Sequence, residues 1–309
     1  MTFAVYYVVQ LRRDQAATPA SQVIQGLQKA IKDNPRNAAL RVRLAEAYME
    51  QDNTNGAIEA LNSALEIDRK YAPAYLVLGF AHMTDENLEG ALGAFLKTVE
   101  LRENGEYAAS DSLLEQGHFY SGVVYYRQKN YDEAIVHFKS AVRIKKASSD
   151  THMYIAKSYA AKQWYGKAIQ EYTIAVTFDP RLAEAQFELG RLYERQKDYA
   201  RAVEHYRLAN EAMPGRKEPK EAMARFGSQD SHYADGQSLL QKKKYAEAVK
   251  EFQMALAFNP KFVNACYGLG QAYEATGQKK KAIDQYKAAL KYDPDLKDAK
   301  TALKRLKAR

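Results

Sequence analysis

The sequence predicts an all-α fold in which antiparallel helix pairs stack into an α-solenoid. Three observations support this prediction. One pattern recurs seven times between Ala38 and Pro294, successive copies usually start 34 residues apart, and four copies end in proline. Because each helix pair buries its apolar face on its neighbours, a chain of 309 residues in this class is not limited to the size of an ordinary domain.

Each copy, numbered here as repeats one to seven, has a small residue at position 8 of its first helix and alanine at position 20 of its second. Position 8 holds Ala45, Gly79, Gly122, Ala156, Gly190, Gly236 and Gly270. Position 20 holds Ala57, Ala91, Ala134, Ala168, Ala202, Ala248 and Ala282. Position 24 holds Leu61, Phe95, Phe138, Tyr172, Tyr206, Phe252 and Tyr286. We expect positions 8 and 20 to face each other, while the aromatic residues fill space between hairpins.

This pattern resembles the tetratricopeptide repeat (TPR), a 34-residue helix-turn-helix unit. The resemblance covers residues 38–296 and implies a right-handed α-solenoid of seven TPR helix hairpins, with a concave groove lined by the first helices. Proline at position 32 is expected to end the second helix, because its ring and missing N–H prevent continuation. It is found at Pro180, Pro214, Pro260 and Pro294.

Both ends of the array resemble partial repeats. Residues 21–35 match the second helix of a repeat, which predicts an N-terminal half repeat. Residues 295–307 have apolar side chains at helical spacing, with lysine or aspartate between them, which predicts a C-terminal capping helix.

The spacing between repeats is longer at two places, where it reaches 43 and 46 residues. Nine extra residues near 106–114 are predicted to extend the next helix at its N-terminus by about two turns. Twelve extra residues near 217–228 predict a short helix and a bend. We therefore expect four segments: 1–20, 21–216, 217–228 and 229–309. The alternative is that an insert forms part of a partner site.

The N-terminal segment, residues 1–20, does not follow the repeat pattern. Residues 3–11 are apolar and β-branched, but a transmembrane helix needs about 20 apolar residues. The alternatives are the remainder of an anchor, a short interfacial segment, and a soluble cap or tail. Arg12 and Arg13 favour a cytoplasmic repeat domain if the segment meets a membrane. We expect a cytoplasmic protein, with membrane association left open.

Positive charge is concentrated near the C-terminus. Residues 241–309 hold 16 Lys and Arg against 7 Asp and Glu, whereas the rest of the chain holds 30 against 31. Six lysines lie in predicted interhelix turns and form a candidate edge for an anionic partner: Lys242, Lys243, Lys244, Lys279, Lys280 and Lys281. The edge is either a phosphate-binding surface or a solubilising one. We do not expect nucleic acid, because these turns lack additional stacking aromatic residues.

The sequence predicts no enzyme activity, catalytic residue, metal site or cofactor. It lacks a glycine-rich phosphate loop and a positioned nucleophile. No two histidines have the spacing that places both on one helix face as metal ligands. His118 and His152 share a packing position in adjacent repeats, which leaves a shared contact open. Cys266 is expected to be a small buried hydrophobe.

The TPR resemblance implies that positions 2, 5, 6, 9, 12 and 13 of each first helix face the groove. In repeats two to four these positions are largely apolar and aromatic, which suits an amphipathic helix or extended peptide. The predicted contact residues are Leu76, Val77, Phe80, Met83, Phe119, Tyr120, Val123, Tyr126, Met153 and Tyr154. The alternative is that most of them are hairpin core, particularly at position 6.

Further along the chain the predicted groove is more polar. Its candidate contact residues there are Arg191, Arg195, Tyr233 and Tyr267. No lysine is found at position 5 of any repeat, which argues against the clamp that some TPR proteins use for acidic C-termini. The sequence therefore predicts a noncatalytic scaffold or adaptor that binds a protein or peptide. The competing hypothesis is a binder of nucleic acid or anionic surfaces.

Overall fold

A computed structural model describes residues 19–307 and confirms the all-α class, with no strand in that range. The chain divides into two compact units, Met1–Ala168 and Ile169–Arg309, so that the boundary lies within one helix, Tyr165–Phe178. The predicted division at 217–228 remains a prediction. The apolar N-terminal segment lies outside the described residues up to position 18. Within the described range, no helix has the length and hydropathy needed to cross a bilayer.

The first unit contains the predicted half-repeat helix, three complete helix pairs and the first helix of repeat four. Its helices are α1 (Pro19–Asp33), α2 (Ala38–Met49), α3 (Thr54–Ile67), α4 (Ala72–Thr84), α5 (Leu88–Arg102), α6 (Ser112–Arg127), α7 (Tyr131–Ile144), α8 (Ser149–Ala161) and the start of α9 (Tyr165–Phe178).

The second unit contains the rest of α9, three helix pairs and two short helices outside the repeats. Its helices are α10 (Ala183–Arg195), α11 (Tyr199–Ala212), α12 (Lys217–Ala224), α13 (Gln229–Gln241), α14 (Tyr245–Phe258), α15 (Val263–Ala275), α16 (Lys279–Tyr292) and α17 (Lys297–Lys307).

The two helices of a hairpin approach closely where a glycine faces an aromatic ring. A Cβ atom on Gly79 would lie 2.3 Å from the ring of Phe95, and the rings at position 24 lie 2.5–2.7 Å from such an atom in repeats three, five, six and seven. The nearest neighbours of the added atom belong to the ring at position 24, and the expectation that alanine at position 20 also faces this glycine remains a prediction. Repeat one has the smaller Leu61 at position 24 and Ala45 at position 8, both fully buried.

The turn inside each hairpin contains one residue in the left-handed backbone region, at position 15 of the repeat. Such a residue ends the first helix and lets the chain reverse. Only repeat seven uses glycine here, and the other six use charged or amide side chains. These residues, with φ between 55° and 73°, are Asp52, Glu86, Lys129, Gln163, Lys197, Lys243 and Gly277.

The first insert lengthens α6 by one turn rather than the predicted two. Helix α6 begins at Ser112, three residues before the regular repeat start. The Asp111 carboxylate accepts hydrogen bonds from the N–H groups of Leu113 and Leu114, at 2.9 and 3.1 Å, and this cap fixes the helix start. Asp111 also pairs with Arg102 at the end of α5, which ties the insert to the preceding helix.

The second insert forms the short helix α12 and then a bend at Gly227, whose φ is 90°. Helix α12 packs on α11 as the final helix α17 packs on α16. Residues 214–226 (PGRKEPKEAMARF) also match residues 294–306 (PDLKDAKTALKRL) at a separation of 80 residues. Helix α12 therefore takes the place of a capping helix after repeat five, and α11 packs directly on α14, the second helix of repeat six.

Candidate functional site

Five partly buried aromatic side chains form a continuous row across α4, α6 and α8 in the first unit. Adjacent ring centroids are 4.5 Å apart for Phe80 and Tyr120, 5.0 Å for Tyr120 and Phe119, 5.7 Å for Phe119 and Tyr154, and 5.9 Å for Tyr154 and Tyr126. All four pairs meet edge to face, at interplanar angles of 81–88°. This aromatic row joins side chains from three successive repeats.

Two fully buried phenylalanines support the aromatic row from beneath. Phe95 stacks on Tyr120 at 5.5 Å, and Phe138 stacks on Tyr154 at 5.4 Å. Phe119 also contacts Phe138, at 5.8 Å. Because aromatic pairs of this kind restrain both rings, the row is held in place before any partner binds.

Four residues predicted to line the groove are instead buried in the first unit. They pack within the hairpins. The positions that face the groove lie beside those that face the core on the same helix, so an apolar side chain at the boundary can be buried. The prediction that they offer contact surface is corrected for Leu76, Val77, Val123 and Met153, which are 6–8% exposed. Met83 is partly buried and packs against the cluster around Phe95.

A recess of about 560 Å³ adjoins the aromatic row at Phe119 and Tyr120. Glu115, Lys145 and Asp150 give it charged walls. Burial, together with the carboxylate of Glu115, raises the pKa of the Tyr120 hydroxyl, and burial also raises the pKa of Glu115. The first insert contributes to the same recess, which is further lined by Ser110, Ser112, Gln116, Ile144 and Ser148.

The predicted groove residues of the second unit do not form a comparable row. Arg191 and Arg195 are exposed on α10. Tyr233 is partly buried, 5.0 Å from the ring of Phe262, and its hydroxyl accepts a hydrogen bond from Gln237 at 2.8 Å. Tyr267 lies 5.6 Å from Tyr286, and burial raises its pKa.

Sequence reasoning missed one residue near these arginines. Arg225, at the end of α12, lines the same recess of about 520 Å³ as Arg191 and Arg195. The signal that could have identified it is the match between residues 214–226 and 294–306, which aligns Arg225 with Arg305.

All six lysines of the predicted anionic-partner edge are exposed. Lys242, Lys243 and Lys244 lie in the hairpin turn of repeat six, whereas the three lysines of repeat seven form the first turn of α16 rather than the predicted interhelix turn. Some have local partners: Lys244 pairs with Glu247 at 3.3 Å, and Lys281 donates to the Gln278 side chain at 2.8 Å. The lysines of this edge are Lys242, Lys243, Lys244, Lys279, Lys280 and Lys281.

Four histidines take part in polar pairs between the two helices of a hairpin: His118 with His137, His205 with Gln186, and His232 with Glu251. His118 and His137 lie 3.1 Å apart between Nδ1 atoms, and His205 lies 2.7 Å from the Gln186 amide oxygen. Burial lowers the pKa of His118 to about 4 and lowers that of His137 as well. His137 contacts His118 within one hairpin, and the contact between His118 and His152 that the sequence left open remains a hypothesis.

The structure contains no cluster of three or more potential metal ligands among residues 19–307. Cys266 is 2% exposed, and burial raises the pKa of its thiol. It is therefore the small buried hydrophobe that the sequence predicts.

The TPR resemblance is supported by comparison with family models. Tetratricopeptide repeat models match residues 20–75, 115–148, 155–217 and 263–296, and a TPR repeat model matches residues 236–277. These matches together span more than half of the chain. No curated protein sequence matches it significantly.

Several solved structures have the same fold at low sequence identity. YrrB, described as a TPR protein with an unusual peptide-binding site, matches at a TM-score of 0.52 and 19% identity, over 63% of this chain and 96% of its own. Pseudomonas aeruginosa pilF matches at 0.57 and 19%, over 71% and 93%. MamA from Desulfovibrio magneticus RS-1 matches at 0.51 and 19%, over 58% and 96%. These structures share the fold, and the family-model matches show that the chain belongs to the tetratricopeptide repeat family.

Proposed function

We propose that this protein is a noncatalytic scaffold or adaptor that binds a peptide segment of another protein along the aromatic row. The observation that carries the proposal is the continuity of five partly buried rings over three repeats, from Phe80 to Tyr126. Aromatic side chains supply large contact area at low entropic cost, which makes them frequent centres of binding energy.

The chemistry of the row favours a partner with apolar side chains. Phe80 and Phe119 offer only apolar ring surface, while the three tyrosines add hydroxyl groups that can bond to a peptide backbone. An amphipathic helix or an extended peptide fits this combination. YrrB provides a precedent for peptide binding by a TPR protein of the same fold.

The proposal can be tested by selecting 12-residue peptides from a display library against the full-length chain. We expect enriched sequences with apolar residues at helical or alternating spacing, and binding that persists in 0.5 M NaCl. Truncation of two neighbouring rings by Phe119→Ala and Tyr154→Ala should weaken the selected peptides at least tenfold, since central aromatic contacts contribute about 2 kcal/mol or more each.

A matched control is available in the second unit. Tyr233 and Tyr267 occupy the same repeat position as Phe119 but lie outside the aromatic row. The Tyr233→Ala and Tyr267→Ala variant should keep its affinity for the selected peptides. Circular dichroism verifies that both variants fold. Equal loss of binding in the two double variants, or enrichment of strongly charged peptides alone, would contradict the proposal.

A second candidate function rests on the exposed lysine edge in repeats six and seven. These six side chains could bind nucleic acid or another anionic surface through phosphate contacts. Affinity for a 20-nucleotide single strand would then fall steeply between 50 and 200 mM NaCl and decrease further when Lys242, Lys243 and Lys244 are changed to glutamine. Binding that ignores both changes would eliminate this candidate.

Membrane association through residues 3–11, with the repeats on the cytoplasmic side, is also a proposal. It is supported by the apolar composition of that segment and by Arg12 and Arg13. Co-sedimentation with phosphatidylcholine vesicles tests it, and deletion of residues 3–11 should abolish the association. A chain that remains in the supernatant with and without the segment contradicts it.

A further inference from the structure

Three arginines surround a single recess in the second unit. Arg191 and Arg195 lie one turn apart on α10, and Arg225 reaches the same place from the end of α12. The recess has a volume of about 520 Å³, and Phe187, Glu194 and Tyr206 form the rest of its lining. The regular repeat supplies two arginines to this recess, and the insert therefore supplies the third.

Arg225 is held in position by a small hydrogen-bond network. Its Nη2 donates to Glu194 Oε2 at 2.9 Å, and the hydroxyl of the fully buried Tyr206 donates to the same oxygen at 2.6 Å. The Arg225 Nε also donates to the carbonyl of Ala222, at 3.4 Å. Glu194 is held by Tyr206, and Arg225 is held by both Glu194 and the Ala222 carbonyl. These bonds orient the Arg225 guanidinium before a ligand binds.

The charge of the recess favours an anion. Its lining includes three arginines and one carboxylate, and Glu188 outside the lining pairs with Arg191 at 3.0 Å. The balance is still positive after both carboxylates are counted. The side chains of Arg191 and Arg225 are 61% and 59% exposed, so each offers N–H donors beyond those used in its ion pair.

Repeat seven provides an internal reference for this arrangement. There Arg305 donates from both Nε and Nη2 to Glu274, so that its planar edge is occupied. Gln271 and Ala275 stand where repeat five has Arg191 and Arg195. The frame is the same, but only the site on repeat five combines three guanidinium groups.

We infer that repeat five and helix α12 form a binding site for the carboxylate groups of an acidic peptide. Arginine suits this role because its planar donors can meet both oxygens of a carboxylate. The site is separate from the aromatic row, and its occupation does not depend on the function proposed for that row.

The inference is tested with the full-length chain and three labelled octapeptides, followed by fluorescence anisotropy. One is rich in glutamate, one has glutamine in place of every glutamate, and one is the glutamine peptide with a single phosphoserine. We expect the glutamate peptide to bind more tightly than both others. Arg191→Gln with Arg195→Gln should weaken it at least tenfold, whereas Arg305→Gln should change its affinity less than twofold.

Further variants distinguish this site from the lysine edge and from the aromatic row. Arg225→Lys keeps the charge but loses the planar donors, so we expect an intermediate loss of affinity. The glutamine variant of Lys242, Lys243 and Lys244 should lose less than threefold, and the Phe119→Ala and Tyr154→Ala variant should bind the glutamate peptide normally. Loss of binding in the lysine variant but not in the arginine variant would overturn the inference. Preference for the phosphoserine peptide would overturn the assignment of a carboxylate ligand.

Discussion

Repeat five with helix α12 and repeat seven with helix α17 are built on one frame but differ in their surface chemistry. In both, a tyrosine hydroxyl donates to a glutamate twelve residues earlier, and that glutamate accepts from an arginine 31 residues later. In each case the extra helix packs on the second helix of the preceding repeat, α12 on α11 and α17 on α16. The difference lies at Arg191 and Arg195, which are replaced by Gln271 and Ala275 in repeat seven. Helix α17 therefore covers the preceding repeat, whereas α12 does so and also adds Arg225 to the proposed carboxylate site.

The largest expected effect on stability comes from adding a Cβ atom at the two glycines that face the tyrosine rings. A Cβ atom on Gly190 would lie 2.5 Å from Tyr206, and one on Gly270 would lie 2.6 Å from Tyr286. Either Gly→Ala change should lower the free energy of unfolding by about 2–3 kcal/mol, because a rigid ring must move. Urea denaturation followed by circular dichroism measures the loss.

A control for the glycine variants is found in α5. Gly93 has no neighbour within 4 Å of an added Cβ atom, so Gly93→Ala should be neutral or stabilising by up to about 1 kcal/mol. A neutral Gly190→Ala variant, or losses at the two tyrosine sites that differ severalfold, would show that the two frames are not equivalent.

The shared hydrogen-bond network should make similar contributions in the two repeats. A double-mutant cycle with Glu194→Ala and Tyr206→Phe should give a coupling energy of about 1.5 kcal/mol, as expected for a hydrogen bond to a carboxylate. The cycle with Glu274→Ala and Tyr286→Phe should give a similar value. The comparison is contradicted if one cycle gives strong coupling and the other gives none.

Acid should distinguish repeat five from repeat seven, because repeat five has His205 where repeat seven has Gln285. Burial, with a smaller contribution from Arg201 and Arg207, lowers the pKa of His205 to about 4 from an ordinary value of 6.5. The unfolded chain therefore takes up the proton first on acidification. Stability present above pH 6.5 is lost as the pH falls towards 4, and no more is lost from this group below that value.

The expected contribution of His205 is on the order of 1 kcal/mol, after allowance for its partial exposure to solvent. The variant His205→Gln introduces the residue that repeat seven has at Gln285. Its unfolding free energy should change less than that of the unaltered chain between pH 7 and pH 4.5. Parallel pH profiles for the two proteins would refute the role of His205.

The smallest expected effect is at the hairpin turn. Lys197 has a φ of 61° and Gly277 has a φ of 73° at the same repeat position. Lys197→Gly should stabilise the fold by about 0.5–1 kcal/mol, because side chains with a Cβ atom are strained in this region. Gly277→Lys should cost a similar amount. Thermal unfolding compares the pair, and changes of the same sign in both would contradict the turn assignment.

The sequence predicted the helix pairs well because the repeat pattern carries packing information in every copy. It predicted less about the surfaces. Leu76 and Met153 are buried although their register also suits the groove, since groove and core positions are adjacent on a helix. The length of α6 depended on the Asp111 cap and its pairing with Arg102, a contact between separate helices.

The candidate sites depended on contacts that the repeat pattern does not encode. The register places Phe119 and Tyr154 in successive repeats, but their edge-to-face packing over Phe138 follows from side-chain geometry. Arg225 was missed because the insert was treated as a short helix and bend. The left-handed turn residues carry no local signal, since six of the seven are not glycine.

Helix α12 lies between repeat five and repeat six along the chain. Pro219 and Ala222 of this helix are buried, so α12 covers part of the apolar side of repeat five, and α14 of repeat six covers another part by packing on α11. A recombination event at residues 227–228 that exchanged the following repeats would therefore keep repeat five covered only if the new block also supplied a helix that packs on α11.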